Sequence, residues 1–307
     1  MKYIRNTTDF QIGEPTALTV GKFDGLHRGH ELLMEKLAQK KAEGLKAAVF
    51  TFDIPPKQNI EKKDSQVITT NEEKMHRMEQ MGIDYLVECP FTPEIMSMEA
   101  EDFLKKMVEQ LQVHCFVVGE DFRFGHNRRG DFHMLQKYAK TYGYEVVVLK
   151  KIKEDERDIS STFVREEIAA GNIEKANHLL GYRYFITGEV EHGKRIGRTI
   201  GIPTVNQIPP REKLLPPFGV YVTEVWIHGK SYRGVTNVGC KPTIEGIRPA
   251  GVETHLLDFA EDVYGQTITV EFLHQIRREH KFESIEALKQ QMQCDIAEAA
   301  RYFENIT

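Results

Sequence analysis

Apolar and polar positions in the first half of the chain alternate in blocks of two kinds. Short apolar runs such as Ala17-Leu18-Thr19-Val20, Ala47-Ala48-Val49-Phe50 and Cys115-Phe116-Val117-Val118 stand between segments with apolar residues at helical spacing, as at Leu32, Leu33 and Leu37. This predicts strands at 16–20, 46–52, 83–88, 114–119 and 144–149, with helices at 29–42, 71–81, 99–111 and 131–142 between them. Strands separated by helices specify an α/β fold, a parallel sheet with crossover helices, and ligands collect where its strands end and loops begin. Two short helices, 161–170 and 173–180, follow. At Tyr182 the texture changes. Residues 184–277 alternate one by one, as in Val220-Tyr221-Val222-Thr223-Glu224-Val225-Trp226, broken by turns such as His228-Gly229. That is the pattern of an antiparallel β-barrel. Ser284 to Phe303 reads as a closing helix with Ser284 as its cap and Glu286 and Ala287 near the place where a capping box wants an acid. Two domains result, 1–182 and 183–307.

Composition narrows the function. The 307 residues are 40% hydrophobic and 28% charged, enough to bury two cores. A net charge of -5 and a pI near 6.2 argue against nucleic acid or a membrane surface as partner, and leave small anionic ligands open. Cys89, Cys115, Cys240 and Cys294 are scattered without C-x-x-C spacing, so free thiols in a reducing compartment are expected. There is no apolar run of membrane-spanning length, and Met1 to Gly13 is polar rather than signal-like. The expected location is cytoplasmic. A homo-oligomer stays open.

The candidate chemistry begins at Gly21-Lys22-Phe23-Asp24-Gly25-Leu26-His27-Arg28-Gly29-His30, between the first predicted strand and helix. Helix N-termini present free N–H groups and a positive dipole end to anions, and glycines let backbone approach them closely. A plain structural turn, or a metal held by Asp24, His27 and His30, accounts for less: no further ligand completes a metal set nearby. The phosphate reading leads.

This segment resembles the HxGH signature of the nucleotidyltransferase superfamily, and its longer form GxFDGxHxGH is similar to the prokaryotic bifunctional riboflavin kinase/FAD synthetases. The resemblance implies a Rossmann-like nucleotidyltransferase domain (FMN adenylyltransferase) ahead of a riboflavin kinase barrel. It implies ATP and phosphate contacts at Gly21, Phe23, Asp24, Gly25 and Gly29, with His27 and His30 catalytic. Gly119-Glu120-Asp121-Phe122-Arg123-Phe124-Gly125 with Arg128 and Gly130-Asp131 resembles the family's VGxDFxFGxxRxGD segment, implying flavin contact at Asp121, Phe122, Phe124 and Arg128. Ile159-Ser160-Ser161-Thr162-Phe163-Val164-Arg165 resembles ISSTxIR, which implies that Ser160, Ser161, Thr162 and Arg165 bind ATP phosphates. A simple helix cap would use only one of those hydroxyls. Two departures stand out: Ile54-Pro55-Pro56 carries no histidine between the prolines, and Phe163 fills a position that is often basic.

In the second half, Gly193-Lys194-Arg195-Ile196-Gly197-Arg198-Thr199-Ile200-Gly201-Ile202-Pro203-Thr204-Val205-Asn206 resembles the kinase motif GxxxGRxxGxPTAN, with Val205 for the usual Ala. The resemblance implies that Gly193, Gly197, Arg198 and Gly201 wrap ATP phosphates while Thr204 and Asn206 hold Mg2+. Glu253 matches the family's base, and Arg277, Glu279 and Phe282 match a flavin-contacting IRxExKF segment. Gly219-Val220-Tyr221, Asn237-Val238-Gly239 and Pro242-Thr243 fit the same family. The implied function is flavin cofactor biosynthesis by a bifunctional transferase. Riboflavin and ATP give FMN and ADP, then FMN and ATP give FAD and pyrophosphate, with Mg2+ accompanying ATP and no permanently bound cofactor. The alternatives are a kinase with weak or absent adenylyltransferase activity, and a flavin-binding regulator.

Overall fold

The computed structural model describes residues 1–53, 66–193, 197, 201–240 and 250–306. Contacts divide it into two units, Met1–Ser161 and Thr162–Thr307.

In the first unit, β2 (Thr16–Val20) lies at the centre of a six-stranded sheet, between β3 (Lys46–Asp53) and β5 (Val113–Gly119). β4 (Tyr85–Pro90) flanks β3, β8 (Glu145–Leu149) flanks β5, and β1 (Lys2–Arg5) forms the other edge. All recorded pairings in this sheet are parallel. In β2 Thr16, Ala17, Leu18 and Thr19 are buried without alternation because both its faces are covered, as a parallel sheet requires. α1 (Arg28–Ala42) and α2 (Asn71–Gln80) bring Leu37 and Met78 to one core cluster, with Ala17, Val49 and Val117. α4 (Ala100–Leu111) and α5 (Phe132–Tyr142) bring Phe103, Met107 and Leu135 to the other, with Leu18, Phe50 and Phe116. α3 (Pro93–Ser97) is a single turn before α4, opened by Thr92 and Pro93. Two hairpins complete the unit: β6 (Arg123–Phe124) with β7 (Gly130–Asp131), and β9 (Lys153–Glu154) with β10 (Arg157–Asp158).

The polar loops after β2 and β5 leave the sheet on its carboxyl rim, where β3 also ends. β1 was not expected. Its sequence, Lys2-Tyr3-Ile4-Arg5, carries little apolar character and takes strand form by pairing along β4 from Lys2 opposite Tyr85 to Arg5 opposite Glu88.

The second unit is a nearly closed antiparallel barrel. Its strands are β11 (Phe185–Glu189), β12 (Val205–Gln207), β13 (Gly219–Ile227), β14 (Lys230–Cys240), β15 (Ala250–Leu256) and β16 (Thr267–Arg278), in the order β11-β16-β13-β14-β15-β12. Between the outer strands β12 and β11 a side chain does the work of a ladder: Gln207 Nε2 donates to Gly188 O (2.9 Å) and Ile268 O (3.0 Å), while Glu191 N donates to Asn206 O (2.8 Å). Inside, Thr223, Thr236 and Thr254 form a buried hydroxyl chain across three strands, at 2.7 and 2.8 Å.

α6 (Ser161–Ala170) and α7 (Ile173–Leu180) precede the barrel, and α7 is bound to it. Asn177 donates to Phe272 O and accepts from Tyr184 N. α8 (Ile285–Ile306) packs Ala299 and Phe303 on Val220, Val222, Val235 and Leu273. Ser284 Oγ caps it by accepting from Ala287 N (3.1 Å), but the third helical position is Ala287, so the acid of a capping box is missing.

A complete capping box opens α2 instead. Thr70 Oγ1 accepts from Glu73 N, and Glu73 returns a carboxylate oxygen to Thr70 N (2.9 Å). Both residues are buried. Thr70→Ala is expected to cost about 1 kcal/mol of stability, read from the shift in the denaturant midpoint of the full chain at constant m-value.

Candidate active sites

The loop from β2 to α1 is held in a tense shape. Phe23, Gly25 and Leu26 have φ of 50°, 81° and 40°, so two residues with side chains occupy the left-handed region. Three hydrogen-bonded anchors keep it there. The Asp24 carboxylate accepts from Ile68 N (2.8 Å) and Thr69 N (3.2 Å), Thr69 Oγ1 accepts from Gly25 N (3.1 Å), and Ser161 Oγ donates to Asp24 O (2.8 Å). Gly25 is required twice over: its φ is positive, and a Cβ would stand 3.0 Å from the Ile68 side chain. The effect is to tie the loop, the entrance of α2 and the start of α6 to one carboxylate residue.

That geometry delivers two histidines at the N-terminus of α1. His27 is the N-cap residue and His30 lies in the first turn; the rings stack at 3.8 Å between centroids, 22° apart. Phe23 is buried (1% exposed) with its ring edge 5.1 Å from His30, so its side chain shapes the imidazole from beneath and offers no surface to phosphate. Burial pushes His27 down to about 4 and holds His30 well below the usual range, where the charges of His27 and Lys74 depress it further. Both rings are therefore neutral near pH 7, and each Nδ1 is buried without a partner among the described residues. A neutral imidazole still carries one N–H donor. Paired at a helix N-terminus, two such donors suit phosphate oxygens without a carboxylate counter-ion.

The segment after β5 reaches the same rim. The Asp121 charge acts on His27, and Asp121 also pairs with Lys151 at 3.1 Å. Phe122 stacks on Phe124 (5.3 Å, 19°), but Phe124 is buried in the core and Phe122 is the half-exposed ring. Any flat ligand at this edge would meet Phe122 before Phe124. Arg128 is exposed with φ 59°.

In the barrel a single transverse row carries the polar groups. Asn206 on β12 pairs with Glu253 on β15, Glu253 with Asn237 on β14, Asn237 with Val220 on β13, and Val220 with Arg277 on β16. Directly paired residues share one face of a sheet. Asn206 is buried and its Oδ1 has no partner among the described residues. Gly193 abuts this amide so closely that a Cβ would lie 2.6 Å from Asn206 Nδ2. Two cavities flank the row. One, of about 300 Å3, is apolar and includes Gly197, Thr204, Asn237, Glu253, Glu279 and Phe282 in its wall; the other, of about 400 Å3, is walled by Val190, Thr204, Thr254, Phe259 and Tyr264 among others. Thr204 belongs to both.

Arg277 enters the apolar cavity already neutralised. Its Nε and Nη2 donate to Asp295 Oδ1 (2.9 Å) and Oδ2 (2.8 Å), and Gln291 donates to the same carboxylate. This bidentate clamp between β16 and α8 fixes the guanidinium 5.6 Å over the Phe282 ring.

The family described as FAD synthetase matches residues 9–163, and that described as riboflavin kinase matches 180–303. A protein of Escherichia coli (strain K12), "Bifunctional riboflavin kinase/FMN adenylyltransferase", is 38% identical over 99% of this chain and 98% of its own length. Its namesake in Bacillus subtilis (strain 168) is 35% identical over 95% and 93%. The chain belongs to the bifunctional riboflavin kinase/FMN adenylyltransferase family. It phosphorylates riboflavin to FMN and transfers an adenylyl group from ATP to FMN, giving FAD and pyrophosphate. A crystal structure from Streptococcus pneumoniae, described as a macrolide-efflux protein, shares the fold at 30% identity with a TM-score of 0.85, covering 96% of this chain and 97% of its own. No helix among the described residues here is long and apolar enough to cross a membrane.

The chain brings together Thr204, Glu253, Arg277, Glu279, Phe282 and Gly197 around one cavity, although they are drawn from three separate stretches of sequence. Arg198, Ile54-Pro55-Pro56 and Pro242-Thr243 lie outside the described residues; Gly201 is exposed with φ 80°. Asn237, Asp295, Phe259 and Tyr264 escaped the residue-level reading. Asn237 stood inside a recognised motif, a polar residue in a run of strand character, and that was the available signal. Asp295 gave none, because a lone acid on an amphipathic helix reads as solvated.

The neutral histidines imply a pH dependence. A histidine whose folded pKa is depressed below the unfolded value of about 6.5 contributes stability that is complete above that value and lost as pH falls toward the folded pKa. For His27, with a folded pKa of about 4, the loss across roughly pH 6.5 to 4 amounts to about 3 kcal/mol, and His30 adds to it. Thermal melting should fall steeply in that window. His27→Asn should flatten the slope, and an unchanged slope would contradict neutral burial of this ring.

Proposed function

We propose that the two reactions divide between the β2–α1 turn and the barrel row, and that the domains serving them comprise residues 1–182 and 183–307. The observation that carries the barrel assignment is Thr204, which lines both cavities beside the row holding Asn206 and Glu253. Two substrates that meet must share a wall. The apolar cavity, with Phe282, Arg277 and Glu279, takes the flavin ring, and the cavity at Phe259 and Tyr264 takes the adenosine end of ATP, with the phosphates under Gly193, Gly197, Arg198 and Gly201.

Glu253 then accepts the proton of the riboflavin 5'-hydroxyl as its oxygen bonds to the γ-phosphorus and ADP leaves. Asn206 Oδ1, buried and unpartnered among the described residues, and the Thr204 hydroxyl are oxygen donors of the kind a hard divalent cation takes, so they fit Mg2+. Bound there, Mg2+ would neutralise phosphate charge. The chain's own contribution is to orient the hydroxyl and to hold its proton.

At the β2–α1 turn the FMN phosphate oxygen bonds to the α-phosphorus of ATP and pyrophosphate leaves, without a protein nucleophile. His27 and His30 donate hydrogen bonds to phosphate oxygens, and Gly21, Phe23, Asp24, Gly25 and Gly29 supply backbone and the clamp. Ser160, Ser161, Thr162 and Arg165 serve the ATP phosphates. Asp121, Phe122, Phe124 and Arg128 serve the flavin, with Phe124 acting through Phe122. A cytoplasmic location belongs to the same proposal and rests on the four scattered cysteines.

Purified protein incubated with riboflavin, ATP and Mg2+, followed by separation of riboflavin, FMN and FAD, tests the division. Glu253→Gln is expected to slow FMN formation by about 10^2- to 10^4-fold while FMN supplied directly is still converted to FAD. His30→Ala should do the reverse: FMN accumulates and FAD falls by 10-fold or more, on the order expected for loss of one phosphate donor. Equal loss of both activities in both variants would refute the two-site assignment.

A further inference from the structure

A buried cation stands beside the histidine pair without a role in the reading above. Lys74 lies in the first turn of α2, just past the capping box, where the helix entrance is bound to Asp24 through Ile68 and Thr69. It is 7% exposed. Its charge acts on His30, and it lies within electrostatic range of Asp24, Glu88 and Asp53. Among the described residues these carboxylates act on it through their charge, with no ion pair closed. They are committed elsewhere: Asp24 to two backbone amides, Glu88 to Tyr3 and Asn71. Burial accordingly lowers the Lys74 pKa, with the three carboxylates only opposing the shift.

A charged side chain kept out of water with no contacting partner costs stability. Lysines placed for structure alone normally snorkel to solvent or close an ion pair. Among the described residues Lys74 does neither, and its charge acts on His30, one of the two neutral donors at the N-terminus of α1, a setting that already favours an anion. Resting on the reading of this turn as the adenylyl-transfer centre, we propose that Lys74 is a phosphate-binding residue of that centre, its ammonium group holding a phosphoanion against the His27/His30 pair. The anion is either the polyphosphate of ATP, released as pyrophosphate, or the 5'-phosphate of FMN. Both present the same oxygens to a point charge.

Lys74→Met keeps the apolar stem and removes the charge, and Lys74→Arg keeps the charge. Calorimetric binding of inorganic pyrophosphate and, separately, of FMN to the full chain with Mg2+ distinguishes the two sources. Lys74→Met should weaken one of these ligands by about tenfold or more, the size expected for one charge-assisted hydrogen bond, while Lys74→Arg stays within about threefold. In turnover the loss should fall on the KM of the substrate carrying that phosphate. The melting temperature of Lys74→Met should hold or rise, because a desolvated charge has been removed. A lysine kept only to balance Asp24, Asp53 and Glu88 would behave oppositely: melting falls and both ligands bind as before, which overturns the proposal. Lys74→Gln offers the same comparison should the Met variant not fold. The underlying reading is tested separately by FAD formation in the unaltered chain and its loss in His30→Ala.

Discussion

Asp24 is the constraint on which the first unit's chemistry depends. Its carboxylate takes two amide hydrogens from the entrance of α2, and its carbonyl takes the Ser161 hydroxyl from the start of α6. Those bonds, together with the burial of Phe23 and Leu26 in the core, hold the two residues in the left-handed region and present His27 stacked on His30. A carboxylate so occupied serves as a girder. Tension in the backbone is concentrated in one turn and opposed by hydrogen bonds from segments more than forty residues away, which makes the turn rigid before any substrate arrives.

The barrel solves the equivalent problem by register. Antiparallel pairing places Asn206, Glu253, Asn237, Val220 and Arg277 in a line, and the line is as rigid as the hydrogen-bond ladder beneath it. The ends are secured differently. Gln207 and Glu191 hold the β12 end by side-chain and backbone bonds across an incomplete seam, whereas Asp295 from α8 clamps the Arg277 end. The helix that closes the barrel therefore also finishes the apolar cavity, since Leu288, Met292 and Ile296 enter its wall with Asp295.

Both sites retain groups that a purely stable protein would avoid. Two imidazoles are buried with unpartnered Nδ1 atoms, Asn206 Oδ1 is buried and unpartnered among the described residues, and Lys74 is desolvated. Each is a polar group withdrawn from water. Unsatisfied donors and acceptors of this kind lower stability and would be completed by a polar ligand.

Sequence by itself determined the order of elements and the chemistry of the turns. Apolar runs and helical spacing fixed β2, α1, β3, α6 and α7 to within a residue or two. The glycine and histidine pattern after β2 marked the turn where two histidines meet at a helix N-terminus, and the texture change near Tyr182 separated two kinds of sheet. These are properties of neighbouring residues, and local periodicity reports them. Tertiary structure alone decided what distant residues do together. β1 is a strand only because β4 supplies its partners. Phe23 proved to be a support beneath His30, Phe124 a buried backing for Phe122, and Asp295 the counter-ion of Arg277. The contact division also falls at Ser161/Thr162, ahead of the change in sequence texture, because α7 packs on the barrel. Each depends on which segments meet across the sheet or the barrel, and a one-dimensional pattern says which face a side chain takes but not what will lie opposite it.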